Sequence, residues 1–492
     1  MSLIEIHHLS FTYENSCEPV FQGVDLCLDT DWRLGLIGRN GRGKTTLLRL
    51  LTGELKGRGS IDISVKPIYF PYDLPPGIWT TEEVAQRLSP PGEAWRVWRE
   101  WNLLGLKEEL REREFASLSN GERTRVLLAA LFAREDAYPL IDEPTNHLDL
   151  EGRECVAEYL KGKRGFLLVS HDRAFLDRCV DHVAVLNRNS IELQRGNFSS
   201  WWNNKELRDQ FELAERERLK KDIKKLEEAA RRAADWSNAV EKTKYGTQNS
   251  GLRPDRGYIG HKSAKMMKRA KSAQLRREKA VEKKSGLLRD TESTESLKLR
   301  PLDHGRKQLV ELIGFAPDHG MGPVCAPLDL SVGQGERIAL TGPNGCGKSS
   351  VLKAVLGEKM GHIGLVRRTG GIVISYVAQD TSFLRGSMED FISESGLQET
   401  LFKTILRKLD FQRSQFERSL EQLSAGQKKK VLIARSLCQT AHLYLWDEPL
   451  NFVDVWSRMQ LEELLLTYRP TMLFVEHDRT FTEKIATRQI GL

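Results

Sequence analysis

The chain has 492 residues and 40% hydrophobic content, enough for about three domains with ordinary cores, which excludes a disordered or fibrous protein. Its longest apolar run, 126–133, is far short of the about 20 residues that cross a bilayer, and residues 1–9 lack the order of a leader, so neither export nor membrane insertion is expected. Seven cysteines, at 17, 27, 155, 179, 325, 346 and 438, form no C-x-x-C pair; this excludes a disulfide framework and a zinc site and predicts reduced, buried thiols.

In chain order, a strand at 34–37 runs into Gly38-Arg39-Asn40-Gly41-Arg42-Gly43-Lys44-Thr45, a G-x-x-x-x-G-K-[ST] loop ahead of a helix. Backbone N–H groups of such a loop close around phosphate at a helix N-terminus that favours anions. Lys44 is placed to reach the β and γ phosphates, and Thr45 to offer its hydroxyl to Mg²⁺. Leu118-Ser119-Asn120-Gly121-Glu122 begins 80 residues after Gly38, and Asp142-Glu143 follows 24 residues later. Asp142 ends an apolar run and suits the metal's water shell, while Glu143 suits a base that orients or deprotonates the attacking water. A short buried strand at 166–169 leads to Ser170-His171-Asp172, with His171 where a γ-phosphate sensor is needed.

From 201 to 240, Leu207, Phe211, Ala214, Leu219, Ile223, Leu226, Ala230, Ala233 and Trp236 recur mostly at steps of three and four, as one helix face does. A second stripe runs Met266, Ala270, Ala273, Ala280 and Leu287, and Gly246, Gly251, Pro254, Gly257 and Gly260 break the helix between them. An antiparallel helical hairpin is expected, its first arm about 45 residues and roughly 65 Å long. Charge concentrates at its far end: the chain is +7 overall, but 242–284 carries 14 Lys or Arg against three acids. Lys242, Lys244, Arg253, Arg256, Lys262, Lys265, Lys268 and Arg269 fit contact with a phosphate backbone. A solvated coiled coil is the alternative that composition leaves open. Tyr245, Leu252, Tyr258 and Ile259, among glycines, suit stacking on unpaired RNA bases.

The second half repeats the first. A strand at 338–340 precedes Gly342-Pro343-Asn344-Gly345-Cys346-Gly347-Lys348-Ser349; Leu423-Ser424-Ala425-Gly426-Gln427 begins 81 residues after Gly342, and Asp447-Glu448 follows 24 later. A short apolar run at 472–475 then leads to Glu476-His477-Asp478. The repeat predicts two copies of one α/β nucleotide-binding domain, at 1–199 and 301–492, around a helical linker at 200–300.

These motifs, in this order, resemble those of ATP-binding-cassette ATPases. The resemblance implies ATP and Mg²⁺ as cofactors and two cassettes facing head to tail. One site then uses Gly38, Asn40, Gly41, Gly43, Lys44, Thr45 and Thr46 with Ser424, Gly426 and Gln427. The other uses Gly342, Asn344, Gly345, Gly347, Lys348, Ser349 and Ser350 with Ser119, Gly121 and Glu122. Implied metal ligands are Thr45 and Asp142 in one site, and Ser349, Gln379 and Asp447 in the other. Glu143, Glu448, His171 and His477 are the implied catalytic residues. Tyr13 is expected to stack on the first adenine; its counterpart is open, with Phe315 a candidate.

The run Asp142-Glu143-Pro144-Thr145-Asn146-His147-Leu148-Asp149 resembles that of the ABC-F subfamily, twin-cassette proteins that act on ribosomes. Two departures stand out. Tyr69-Phe70-Pro71-Tyr72 puts Tyr72 where Tyr376-Val377-Ala378-Gln379 keeps a glutamine, so one metal site lacks a usual ligand. Trp446-Asp447-Glu448-Pro449-Leu450-Asn451-Phe452 carries Leu450 and Phe452 for the threonine and histidine of the first half. These features, the equal motif spacing and the lack of a C-terminal extension resemble antibiotic-resistance ABC-F proteins of the Lsa and Vga type. That resemblance implies a cytoplasmic monomer with intramolecular cassette pairing and no membrane subunit. It implies binding in the exit site of the bacterial 70S ribosome, near 23S rRNA and the P-site tRNA. Lincosamides, pleuromutilins or group A streptogramins are then dislodged, directly or by shifting rRNA, and hydrolysis releases the protein. A housekeeping ABC-F translation factor is the near alternative. A transporter ATPase with a separate membrane subunit is the distant one, disfavoured by the fused cassettes and basic linker.

Overall fold

The computed structural model describes residues 2–14, 19–72, 74, 77, 79–89, 94–187, 190–243, 297–318, 320 and 322–492, with 257, 261, 264, 265, 267, 268, 271, 272, 275 and 276 between the halves. Met1–Trp201 and Thr294–Leu492 together form one compact unit, and Trp202–Ser293 a second.

Each half of the larger unit is a parallel sheet with an antiparallel sheet beside it. In the first, the strand order is Lys66–Phe70, Ala137–Asp142, Phe166–Val169, Arg33–Gly38, His182–Leu186, Ile191–Arg195, parallel except for the last pair. In the second it is Ile374–Val377, Leu443–Asp447, Met472–Val475, Arg337–Thr341, Arg488–Gly491, all parallel. Phe166–Val169 and Met472–Val475 are buried at every position, as strands covered on both faces must be, which explains their unbroken apolar sequence. The glycine-rich loops, both Asp-Glu pairs and both histidines leave the C-terminal ends of neighbouring parallel strands, where open α/β sheets place ligands.

The second unit holds most of a 46-residue helix, Phe198–Thr243, roughly 70 Å long at 1.5 Å per residue. Leu207 and Phe211 on it are 65% and 69% exposed, so the apolar stripe is open to solvent at these two positions. The described residues between 257 and 276 are helical. Gly257, expected to break the helix, is itself helical; its conformational cost, about 1 kcal/mol against alanine, is small enough for context to override. Met266, Ala270, Ala273, Ala280 and Leu287 of the second stripe lie outside the described residues, as do the other expected breakers.

Two further expectations are corrected. Of the six described cysteines, all free, only Cys179 is buried; Cys27 is exposed because strand alternation turns it outward beside buried Leu28. Phe315 is 0% exposed within the strand Gln308–Pro317, packed in the core with Leu330 and Val351, and offers no face to an adenine.

Candidate functional site: two clefts between the halves

Gly43 and Gly347, at φ 93° and 98°, turn each glycine-rich loop directly into a helix, Lys44–Leu51 and Lys348–Leu356. The left-handed backbone favours glycine, and a Cβ at Gly43 would lie 2.4 Å from Val20 Cγ1. Lys44 Nζ donates to Gly38 O at 2.8 Å, and Lys348 Nζ donates to Gly342 O and Pro343 O at 2.8 and 2.7 Å. Both ammoniums are thus held over their loops.

Across from each loop stands the other half. Tyr13, Asn40, Gly41, Gly43, Lys44, Thr45, Thr46, Asp142, Glu143 and His171 share one cleft with Ser424, Ala425 and Gly426. Asn344, Gly345, Gly347, Lys348, Ser349, Ser350, Gln379, Glu448 and His477 share another with Ser119 and Asn120. Asn40 Nδ2 donates to Phe452 O at 2.8 Å, tying the first loop to the second half. Gly38 ends the strand Arg33–Gly38, and Gly342 directly follows the strand Arg337–Thr341, each strand feeding its loop. Tyr13 Oη sits 2.9 Å from Thr46 Oγ1.

Ser119 and Ser424 cap the helices Asn120–Phe132 and Ala425–Cys438 in full capping boxes, accepting from the N–H groups of Glu122 and Gln427. Glu122 Oε2 in turn accepts from Ser119 N at 2.9 Å, and Gln427 Oε1 from Ser424 N at 2.9 Å. Besides the nucleotide contact expected of them, Glu122 and Gln427 hold the serines. Gly121 lies in the first turn of its helix.

The profile of the ABC transporter family matches residues 21–146 and 325–451, just over half of the chain and one match in each half. The chain belongs to the ABC transporter family. It is 28% identical to the ribosome protection protein VmlR of Bacillus subtilis (strain 168), over 97% of this chain and 85% of that protein. It is 28% identical to the ATP-binding protein Uup of Caulobacter vibrioides (97% and 75%) and 26% to ABC transporter F family member 2 of Arabidopsis thaliana (96% and 74%). Its resemblance is to ABC-F ATPases, ribosome protection proteins among them. A crystal structure of archaeal ribosome recycling factor aABCE1, in complex with stalk protein aP1, shares the fold at TM-score 0.63 and 19% identity, over 98% of this chain and 87% of that one. Among the described residues, no helix is long and apolar enough to cross a membrane.

The cassettes' acidic ends differ. Thr45 Oγ1 and Tyr69 Oη donate to Asp142 Oδ2 at 2.8 and 3.0 Å. Tyr69, which sequence reasoning passed over, thus reaches Asp142, whereas the Tyr72 hydroxyl is buried without a partner among the described residues. Both oxygens of Asp447 are buried beside the Ser349 hydroxyl, and burial, against the pull of that hydroxyl, pushes this carboxyl up to about 6. Thr45, Asp142, Ser349, Gln379 and Asp447 are hard oxygen donors, a set that fits Mg²⁺.

Glu143 and Glu448 both adopt left-handed backbone, φ 50° and 46°, a strain seen at the same place in both cassettes. Their carboxylates lie 3.2 and 3.5 Å from His171 Nε2 and His477 Nε2. Burial and then Asp142 push Glu143 up to about 8, against the pull of Lys44. Burial also raises Glu448, but His477, Gln379 and Lys429 more than offset it, leaving Glu448 below the usual range. His171 is held well below its ordinary value by burial and by Lys44 and Arg458, so it is neutral at physiological pH. Because the folded chain keeps the Glu143 proton to about 8 and an unfolded glutamate loses it near 4.5, stability falls as pH rises through that window. Glu143→Gln is expected to raise the calorimetric melting temperature by a few degrees near about pH 8.5 and hardly at about pH 4.5. Equal shifts at both would remove the buried proton from the account.

Sequence reasoning also missed the ties around the histidines. Asp172 and Asp478 cap the helices Arg173–Cys179 and Arg479–Ile485 and take Arg153 Nη1 and Arg458 Nη1 at 2.9 and 3.0 Å. Arg173 crosses to Glu462 of the second cassette in a buried pair, and Arg479 Nη1 crosses back to Glu154 at 3.2 Å. Thr145 and Ser170 hydroxyls lie 3.3 Å apart in the first cassette; where the second has Leu450 and Glu476, Glu476 accepts from Leu450 N at 3.1 Å. The departures at 450 and 476 are therefore matched to each other.

Of the expected RNA contacts, Lys265 and Lys268 are helical and exposed, and Lys242 is helical. Lys244, Tyr245, Leu252, Arg253, Arg256, Tyr258, Ile259, Lys262 and Arg269 lie outside the described residues.

Proposed function

We propose that this chain is a Mg²⁺-dependent ATPase that binds the bacterial ribosome and protects its peptidyl-transferase centre from antibiotics, built as cassettes at 1–199 and 301–492 around a linker at 200–300. The carrying observation is the pairing of each glycine-rich loop with the other cassette's signature, tied at Asn40 and Phe452. Lys44 and Lys348, with the loop N–H groups, hold phosphates; Ser119 and Ser424 close on them from across the cleft. Thr45 with Asp142, and Ser349 with Gln379 and Asp447, would hold Mg²⁺, which would supply neutralisation of the phosphate charge. Glu448, held ionised, orients and deprotonates water, and Glu143 does the same once it has given up its own proton, with His171 and His477 fixing their geometry.

The ribosomal reading is supported by the likeness to VmlR over nearly the whole chain and by the basic segment 242–284. In this reading the protein sits in the exit site of the 70S ribosome, and the linker meets 23S rRNA and the P-site tRNA. The equal identity to Uup favours a second reading, a housekeeping ABC-F factor without a drug phenotype. Expression in a susceptible bacterium separates them: a several-fold rise in the inhibitory concentration of lincosamides, pleuromutilins or group A streptogramins is expected, and no rise favours the second reading. Replacing 246–260 by a Gly/Ser loop of equal length is expected to abolish protection while ATPase activity persists, because a flexible loop pays about 1–2 kcal/mol per residue to order against RNA. Full protection with that loop would remove the tip from the mechanism.

A further inference from the structure

We propose that Lys429 is a positioning residue of the second ATP site, clamping the strand ends that carry Gln379 and Glu448 and making that site the faster of the two. The proposal rests on the ATPase reading above. Lys429 is 2% exposed, yet it lines the cleft with Lys348, Gln379, Glu448 and His477. Its Nζ donates to Ala378 O at 2.9 Å and to Asp447 O at 3.4 Å. Each acceptor belongs to the residue immediately before one of the pair: Ala378 before Gln379, Asp447 before Glu448. The two strands concerned, Ile374–Val377 and Leu443–Asp447, are parallel neighbours with Val377 opposite Trp446, so one ammonium bridges their C-terminal ends.

The energetic logic is local. The buried ammonium makes a charge-assisted bond to Ala378 O and a longer one to Asp447 O, and these together with the nearby carboxylates of Asp447 and Glu448 offset its desolvation. Fixing the two carbonyls fixes the separation of the amide and carboxylate that follow them. Water activation is sensitive to that separation, since a misplacement of about 1 Å costs on the order of 100-fold. In the first cassette the equivalent position in the signature helix is Thr124, whose hydroxyl donates to Asn120 O at 2.9 Å within its own helix. Tyr72 stands there in place of Gln379. The first site thus lacks both the clamp and one of the groups it would position.

The test uses the full chain with one site silenced. In a Glu143→Gln background, where turnover reports the Glu448 site, Lys429→Thr and Lys429→Met are expected to lower kcat by about tenfold or more with KM for ATP within about threefold. Lys429→Arg, which keeps the charge on a differently shaped head, is expected to recover part of the loss. In a Glu448→Gln background the same substitutions are expected to cost far less. Unchanged kcat in the first background, or equal losses in both, overturns the proposal. Should the threonine and methionine variants melt below the assay temperature, Lys429→Arg decides: lowered kcat at unchanged KM supports the clamp, and full kcat overturns it. Absence of ATP turnover by the unsubstituted chain overturns the ATPase reading instead.

Discussion

Replacing Glu143 and Glu448 together by glutamine is expected to slow ATP hydrolysis by about 10²–10⁴-fold while nucleotide still binds. Glutamine keeps the volume and the left-handed turn of each position but cannot take a proton from water. The groups that would hold nucleotide are elsewhere: Lys44 and Lys348 on their loop carbonyls, Thr45 on Asp142, and the capped serines opposite. Turnover and equilibrium ATP binding on the same preparations check both halves of this expectation. Undiminished turnover would remove these carboxylates from the mechanism, and lost binding would make them structural.

Gly426→Val is expected to weaken closure of the two cassettes and to lower turnover without unfolding either one. A Cβ at Gly426 would lie 2.4 Å from Phe452 O and 2.7 Å from Asn40 Nδ2, the two atoms whose hydrogen bond ties the first glycine-rich loop to the second cassette. Relief requires one of them to move, and either movement lengthens that bond. Overpacking of this kind costs about 1–3 kcal/mol, and such a change is about 5- to 150-fold in a two-state equilibrium. ATP-dependent proximity of labels on the two cassettes, measured alongside turnover, reads the loss. Wild-type closure would show that the contact has no part in bringing the cassettes together.

The contrast between these two predictions marks where sequence sufficed. The positions of Glu143 and Glu448 were legible because each directly follows a strand end that an apolar run announces. The contact of Gly426 with Asn40 was legible only as a family expectation, since no local pattern joins residues so far apart in the chain. Ser119 with Glu122 and Ser424 with Gln427 carry a capping spacing that local chemistry alone reads correctly, a role additional to the nucleotide contacts expected of them. Phe315 was not legible in this way. Alternation from buried Val310 and Leu312 would turn Phe315 outward; a shift of register between Leu312 and Phe315 turns it into the core instead, and burial there rules out stacking.

By itself the sequence determined two α/β nucleotide-binding domains, the places of their glycine-rich loops and strand-end carboxylates, and a long helix followed by a basic segment. These follow from short-range rules: glycine where φ is positive, caps where helices begin, and apolar runs where strands are buried on both faces. Only the tertiary structure decided which groups share a cleft and what surrounds them. Lys429 reaching Ala378 and Asp447, Tyr69 reaching Asp142, and Arg173 reaching Glu462 join elements distant in sequence. So does the opposite tuning of two glutamates in matching motifs, Glu143 raised and Glu448 lowered. The physical reason is that burial and charge act through space. A carboxylate's proton affinity depends on which ammonium or aspartate lies within a few ångströms, and the packing of distant strands and helices sets that distance.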